Sequence, residues 1–400
     1  MKTIKRILAF ALCLTLLGSL LAVTGTAQDD AAAWDAPFMP AFAQKVHDAF
    51  ADLSGQDGEP TVNAQADVQF RYVVIGVQAT IIGATDIPAS LRIPETIDGY
   101  TVAAIGDQAF YRANIREVYL PKSLRTIGYA AFAGCSNLKR VVLPDGLLEI
   151  GKEAFYNCGN LETVATGIYR DNDVTDVSVY MPRDLETLGD RAFSGCRSLN
   201  GMVFRQGLTE ISDYAFSGCK NMDVFVTYAD TIGKQAFYKT STNMLMLLSL
   251  LRRVNHSAFE EAQAITVIYC GSTKQFTRFV DSKGLDIRGS LYALGAELRY
   301  KSTGRIADAL DPTVVSLIEK QSYIDAFFSA DPEILEIQSD RQSYKAVGVG
   351  TVQLRHPFYE MINEYCDPEA KYPEAPAYVT VSYAWWQQLI RILLFGWIWY

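Results

Sequence analysis

Residues 124–141 and 147–164 spell one pattern twice, Leu-x-x-Ile-Gly-x-x-Ala-Phe-x-x-Cys-x-x-Leu-x-x-Val, at an offset of 23 residues. Looser copies flank them: Ile105-Gly106 before Ala109-Phe110, Leu188-Gly189 before Ala192-Phe193, Ile211 before Ala215-Phe216, Ile232-Gly233 before Ala236-Phe237, and Val254 before Ala258-Phe259. A period of this length specifies a solenoid, because one unit cannot bury its own apolar side and must stack on the next. Solenoids present long regular surfaces, which makes binding the first functional class to consider.

Each unit reads residue by residue. Leu138, Val141 and Leu143 suit a short strand with one side buried, and Pro144 then ends its hydrogen bonding and turns the chain. Leu147 and Ile150 form a second inward piece, Gly151 is expected to permit a tight bend, and Ala154-Phe155 sends a large ring inward beside a methyl group. The seven phenylalanines Phe110, Phe132, Phe155, Phe193, Phe216, Phe237 and Phe259 are therefore expected to form a structural spine. Cys135, Cys158, Cys196 and Cys219 share the slot three residues after the ring. That slot suits a buried thiol, bridges between neighbouring coils being the other reading. Cys270 and Cys366 have no assignment.

These residues, with Ile93-Pro94-Glu95-Thr96-Ile97-Asp98-Gly99-Tyr100-Thr101-Val102 ahead of the first Ala-Phe pair, resemble the BspA-like leucine-rich repeats of bacterial surface proteins, over about residues 70–280. Residues 268–276 look like the closing element of such an array, with Phe276 where Trp is more usual. The resemblance implies a secreted or cell-surface protein used for attachment or protein binding, without catalytic residues.

The rest of the chain is organised around this array. A basic start (Lys2, Lys5, Arg6), an apolar run over 7–23 and Gly25-Thr26-Ala27 read as a signal peptide, residues 1–27. Its removal takes the formal charge from −9 to −12 and leaves no basic run, so a nucleic-acid partner is not expected. Residues 28–66 hold an amphipathic helix (Phe38, Phe42, Val46, Ala49, Phe50, Leu53) and a linker. The solenoid, with an N-terminal cap of alternating strands from Val68, spans 67–281. Within the next domain, 282–383, residues 329–337, 344–354 and 377–381 read as strands separated by turns, and about 299–383 resemble a group 2 bacterial immunoglobulin-like domain, a small β-sandwich with an insertion over 355–376. Residues 384–400 are a hydrophobic tail. The expected architecture is thus a mainly β leucine-rich-repeat solenoid, then a sandwich, then the tail.

Candidate sites follow from this register. Side chains between the inward positions of each strand face out and align across coils. They are Glu117 and Tyr119, Arg140 and Val142, Thr163 and Ala165, Gly201 and Val203, Val224 and Val226, and Val267 and Tyr269. This mixed apolar and aromatic row suits contact with an extracellular protein or matrix component. The Phe155-to-Phe193 spacing of 38 residues, against 21 to 23 elsewhere, puts an insertion within 165–180. Its Asp171, Asn172, Asp173 and Asp176 form a candidate contact loop; as a calcium loop it lacks the turn glycine and distal Glu. In the tail, Trp385, Trp386, Phe395, Trp397, Trp399 and Tyr400 belong to an apolar stretch too short to cross a bilayer. It suits a membrane interface or a docking site in the protein or a partner. His47, His256 and His356 are unpaired at metal-ligand spacing, and no nucleophile motif accompanies them, so neither enzyme nor cofactor is expected. The leading reading is adhesion or protein binding; an envelope spacer and a carbohydrate-binding module are the alternatives.

Overall fold

The computed structural model describes residues 68–170, 173–178, 180–280, 284–312, 314–315, 327–355, 377–384 and 387. The expected signal peptide, the helix over 37–53, Cys366 and nearly all of the tail lie outside them. The chain divides into two compact units: Met1–Met246, Arg252–Thr266 and Lys283–Ser290 form one, and Leu247–Leu251, Val267–Ser282 and Leu291–Tyr400 the other.

In the first unit each coil contributes two parallel ladders. The longer strands Ser90–Arg92, Glu117–Tyr119, Arg140–Leu143 and Thr163–Arg170 pair in that order, and Gly201–Val203, Met222–Thr227 and Ser241–Leu247 follow in a second sheet. The shorter strands Tyr100–Ile105, Thr126–Ile127, Glu149–Ile150 and Thr187–Leu188 build the other wall. Register is strict, with Val118 opposite Val141, Val141 opposite Val164, and Ile127 opposite Ile150, so like residues stack and stay buried. At the array's start the alternating strands expected from Val68 are present as a hairpin, in which Gln69–Ile75 runs antiparallel to Gln78–Thr85, and the latter pairs in parallel with Tyr100–Ile105.

The Ala-Phe turns hold the coils together. Successive rings from Phe110 to Phe259 stack with centroids 5.1 to 5.9 Å apart and planes within 18° of parallel. Residues two before and two after the ring take positive φ, for example Gln108 and Arg112 at 55° and Glu153 and Asn157 at 58° and 59°. A left-handed residue costs a side chain roughly 1–2 kcal/mol, so the conformation must be compensated. Along the turn, successive N–H groups alternate between the next coil and their own. Gln108, Phe110 and Arg112 N–H groups donate to the next coil's Tyr129, Ala131 and Ala133 carbonyls, each at 2.8 Å, while Tyr111 and Ala113 close turns within their own coil. The same triplet of bonds links Ala130, Phe132 and Gly134 to Lys152, Ala154 and Tyr156.

The cysteine slot completes this stack. Cys135, Cys158, Cys196 and Cys219 are buried free thiols. Their Sγ atoms donate to the carbonyls of Phe110, Phe132, Phe155 and Phe193 in the preceding coil, at 3.1 to 3.3 Å. In the next coil Thr240 Oγ1 donates to Phe216 in the same way, at 2.7 Å. Each of these small donors gives a second partner to a buried carbonyl that already accepts the backbone N–H three residues on.

Two expectations need correction here. Gly151 is not required by a bend, since its φ is not positive. It is required by proximity: a Cβ would stand 2.7 Å from the Ile127 carbonyl oxygen of the preceding coil, and at Gly189 2.3 Å from the Lys152 nitrogen. Gly151→Ala is therefore expected to lower stability by about 1–3 kcal/mol through a forced backbone shift, measurable by urea denaturation. The candidate loop is a β-hairpin, in which Thr163–Arg170 pairs antiparallel with Asp173–Ser178. Asp173 and Asp176 are thus strand residues opposite Arg170 and Ile168, and Asp171 and Asn172 lie outside the described residues. Ladder geometry holds the former pair in extended backbone, not wrapped around an ion.

In the second unit, helix Thr273–Phe279 begins with a capping box, the Gln275 N–H donating to Ser272 Oγ at 3.2 Å and the Ser272 N–H to Gln275 Oε1 at 2.9 Å. It buries Phe276 with its ring 5.7 Å from Tyr269, and after it Leu285–Ala293 adds a further strand beside Ala262–Tyr269. Beyond it, Ala296–Arg299, Tyr378–Ser382, Gly350–Arg355 and Phe328–Ser329 form one sheet in that order, and Thr303–Arg305, Ser343–Ala346 and Leu335–Ile337 another. Leu298, Leu335, Val352, Leu354, Val379 and Val381 are buried. Residues 356–376, most of the expected insertion, lie outside the described set.

Candidate binding surface

The Cα register sets two outward rows on the first four long strands. Ser90, Glu117, Arg140 and Thr163 form one; Arg92, Tyr119, Val142 and Ala165 form the other. Leu91, Val118, Val141 and Val164 face in and are buried. The polar members interlock across coils. The Arg92 guanidinium lies 4.3 Å from the centre of the Tyr119 ring, the Tyr119 hydroxyl donates to Glu117 Oε2 at 3.1 Å, and Arg140 Nη1 sits 3.5 Å from Glu117 Oε1.

The cluster is half buried, with side-chain exposure of 14% at Arg140 and 22% at Glu117. Burial, then the Glu117 carboxylate, holds the Tyr119 hydroxyl above its ordinary pKa, against the opposing pull of Arg140 and Arg92. Tyr119 therefore stays a neutral hydrogen-bond donor at physiological pH. Ordering these long side chains in advance removes an entropic cost that a binding partner would otherwise meet. Thr163, half-buried next to Arg140 in register, extends the row to a fourth strand.

The remainder of the expected outward strip is corrected by burial. Val142, Ala165, Val203, Val224 and Val226 in the first unit are all buried, as are Val267 and Tyr269 in the second. The physical signal was in the sequence. A strand with one wet face alternates, whereas Met222–Thr227 and the run Val267-Ile268-Tyr269 are close to continuously apolar, the mark of strands covered on both faces. Burial is the main reason the Tyr269 hydroxyl is pushed up from its ordinary pKa.

Arg92 was not singled out from the sequence, and a local signal would have found it. Leu91-Arg92-Ile93-Pro94 has the same form as Val118-Tyr119-Leu120-Pro121 and Val141-Val142-Leu143-Pro144, which places Arg92 in the outward slot. Trp385, Trp386, Phe395, Trp397, Trp399 and Tyr400 lie outside the described residues. Among the described residues no helix is long and apolar enough to cross a membrane, and no three His, Cys, Asp or Glu side chains converge to hold a metal.

This geometry is that of a known repeat. The model of the BspA type leucine rich repeat region matches in six copies, over residues 103–175 and 171–280. Residues 103–280 thus resemble a BspA-type leucine-rich repeat region. Among solved structures, the chain is similar to a leucine-rich repeat protein of T. pallidum, at 28% identity over 42% of this chain and 85% of that one, with a TM-score of 0.34. A leucine-rich repeat protein from Bacteroides capillosus is 25% identical over 34% of this chain and 94% of its own, with a TM-score of 0.28. One from Bacteroides ovatus is 18% identical over 58% and 83%, with a TM-score of 0.31. No curated protein matches the sequence.

Proposed function

We propose that the BspA-type repeats are a non-enzymatic protein-binding or adhesion module of a secreted or cell-surface protein, working through Arg92, Glu117, Tyr119, Arg140 and Thr163. The observation that carries this reading is the interlocked Arg92–Tyr119–Glu117–Arg140 cluster. Tyr and Arg dominate the energetics of protein interfaces, most of all when held rigid and partly desolvated. Their partner is an extracellular protein or matrix component. The two small sheets of the second unit, whose strand Ala296–Arg299 pairs in parallel with Tyr378–Ser382, fit an immunoglobulin-like spacer. The tail from Trp385 would add contact with a membrane surface.

The test is attachment of the full chain to a cultured epithelial layer and to an immobilised basement-membrane extract. Tyr119→Ala combined with Arg140→Ala is expected to reduce attachment by at least about tenfold, equivalent to about 1.4 kcal/mol, with unchanged circular dichroism. Attachment that survives both substitutions would sink this reading and favour an envelope spacer without a ligand.

A further inference from the structure

Charge is unevenly placed along this acidic chain. Residues 112–140 carry six bases (Arg112, Arg116, Lys122, Arg125, Lys139 and Arg140) against the single acid Glu117, a net +5. Residues 141–190 carry ten acids against three bases, a net −7. The bases form no run in the sequence; coil stacking assembles them. Arg140 is held by Glu117, and Arg125 Nη1 turns back onto the carbonyls of Lys122 and Leu124 at 3.0 and 3.1 Å. Arg112 and Arg116 are exposed and pair with no carboxylate among the described residues. Lys139 has one partner, Glu162 at 3.1 Å, in a pair nearly half exposed on both sides, and such surface pairs contribute little.

Arg112, Arg116 and Lys139 share the corner where the phenylalanine turn leads into the long strand. The Lys139 and Arg140 N–H groups both donate to the Arg116 carbonyl, at 2.8 and 3.3 Å, which sets Arg116 and Lys139 side by side in adjoining coils. Arg112 reaches the same joint from the turn. A Cβ at Gly134 would stand 2.9 Å from its Cγ, so its stem lies across the next coil, and its guanidinium is 5.1 Å from the centre of the exposed Tyr111 ring. Asn114, midway between the two arginines in sequence, accepts from Asn137 Nδ2 at 2.7 Å. That bond orders both exposed amides and leaves Asn114 Nδ2 and Asn137 Oδ1, a donor and an acceptor, without a partner among the described residues.

We infer that this corner binds a sulfated glycan chain of the glycosaminoglycan type. Cations gathered without matching carboxylates call for a ligand of repeated negative charge, and guanidinium forks grip oxyanions through paired N–H···O bonds. The amide donor and acceptor beside them suit sugar hydroxyls, which both give and take hydrogen bonds. The Tyr111 ring offers its face to a sugar ring. Glu162 stands in the Lys139 position of the following coil and opens the acidic stretch, which confines a polyanion to this end of the array.

The experiment is fluorescence anisotropy of the full chain with a labelled heparin octasaccharide in about 0.15 M salt, against the same octasaccharide after chemical desulfation and a polyglutamate of equal charge. The sulfated chain is expected to bind at least about tenfold more tightly than either. Arg112→Gln and Arg116→Gln are each expected to weaken it at least about threefold and to make the dependence of log Kd on log salt shallower by about one. Arg252→Gln, at an exposed arginine paired with Asp230 in another coil, removes the same formal charge and is expected to leave binding unchanged. Both corner arginines are exposed and Gln keeps the start of the Arg112 stem, so circular dichroism stays unchanged. The inference is overturned by no binding at millimolar octasaccharide, by equal binding of the desulfated chain or the polyglutamate, by indifference to both substitutions, or by an equal loss in Arg252→Gln. The corner shares no residue with the strand-face cluster, so its failure leaves the attachment reading intact.

Discussion

Replacing Phe155 by Ala is expected to remove about 3–5 kcal/mol of stability, one of the largest losses available to a single substitution in this chain. The ring is fully buried and stacks on two others, Phe132 at 5.4 Å and Phe193 at 5.2 Å. Truncation therefore leaves a cavity with aromatic walls on both sides. Collapse cannot fill it, because those walls sit on turns pinned by backbone hydrogen bonds to the neighbouring coils. Phe110, stacked within the column on Phe132 alone, is expected to cost less when truncated. Urea denaturation of both variants checks the order; equal losses at the two positions would show that the column is not a continuous support.

The second large effect is alkaline. Burial holds the Cys196 thiol up at about 12 and pushes Cys219 well above its ordinary range, whereas an unfolded cysteine titrates near about 8.5. A thiol that keeps its proton more tightly when folded contributes its full stability below the unfolded value and loses it as pH rises toward the folded one. Each such group is expected to cost about 1.4 kcal/mol per pH unit above about pH 8.5. Cys196 and Cys219 together make that about 3 kcal/mol per unit. Denaturation midpoints at pH 8, 9 and 10 under reducing conditions measure the slope. Cys196→Ala keeps the fold, because Ala113 and Ala262 already occupy this slot in other coils, and should make the slope shallower by one proton. An unaltered slope would mean the thiols do not hold their protons through folding.

How much was legible in advance depended on which physical signal each residue carried. The phenylalanine column, the cysteine slot and the capping hairpin repeat or alternate, so periodicity alone places them. The strand-face surface was legible only as far as Arg140 and Thr163. Outwardness can be read from alternation when polar residues mark the wet side, as Glu117 and Arg140 do, but Val224-Phe225-Val226 offers no such contrast. Gly151 was correctly marked as indispensable for the wrong reason, since a close approach between coils leaves no trace in local backbone preference.

The alternating N–H groups of the turns have a consequence for how this protein can change length. From the Phe110 coil to the Phe216 coil, each turn gives its successor the same three N–H groups, so these five joints are interchangeable. Unequal recombination that drops or duplicates one complete 23-residue unit, such as residues 124–146, rejoins like to like and leaves a closed array. Copy number is therefore a heritable variable that selection can adjust without redesigning any single joint.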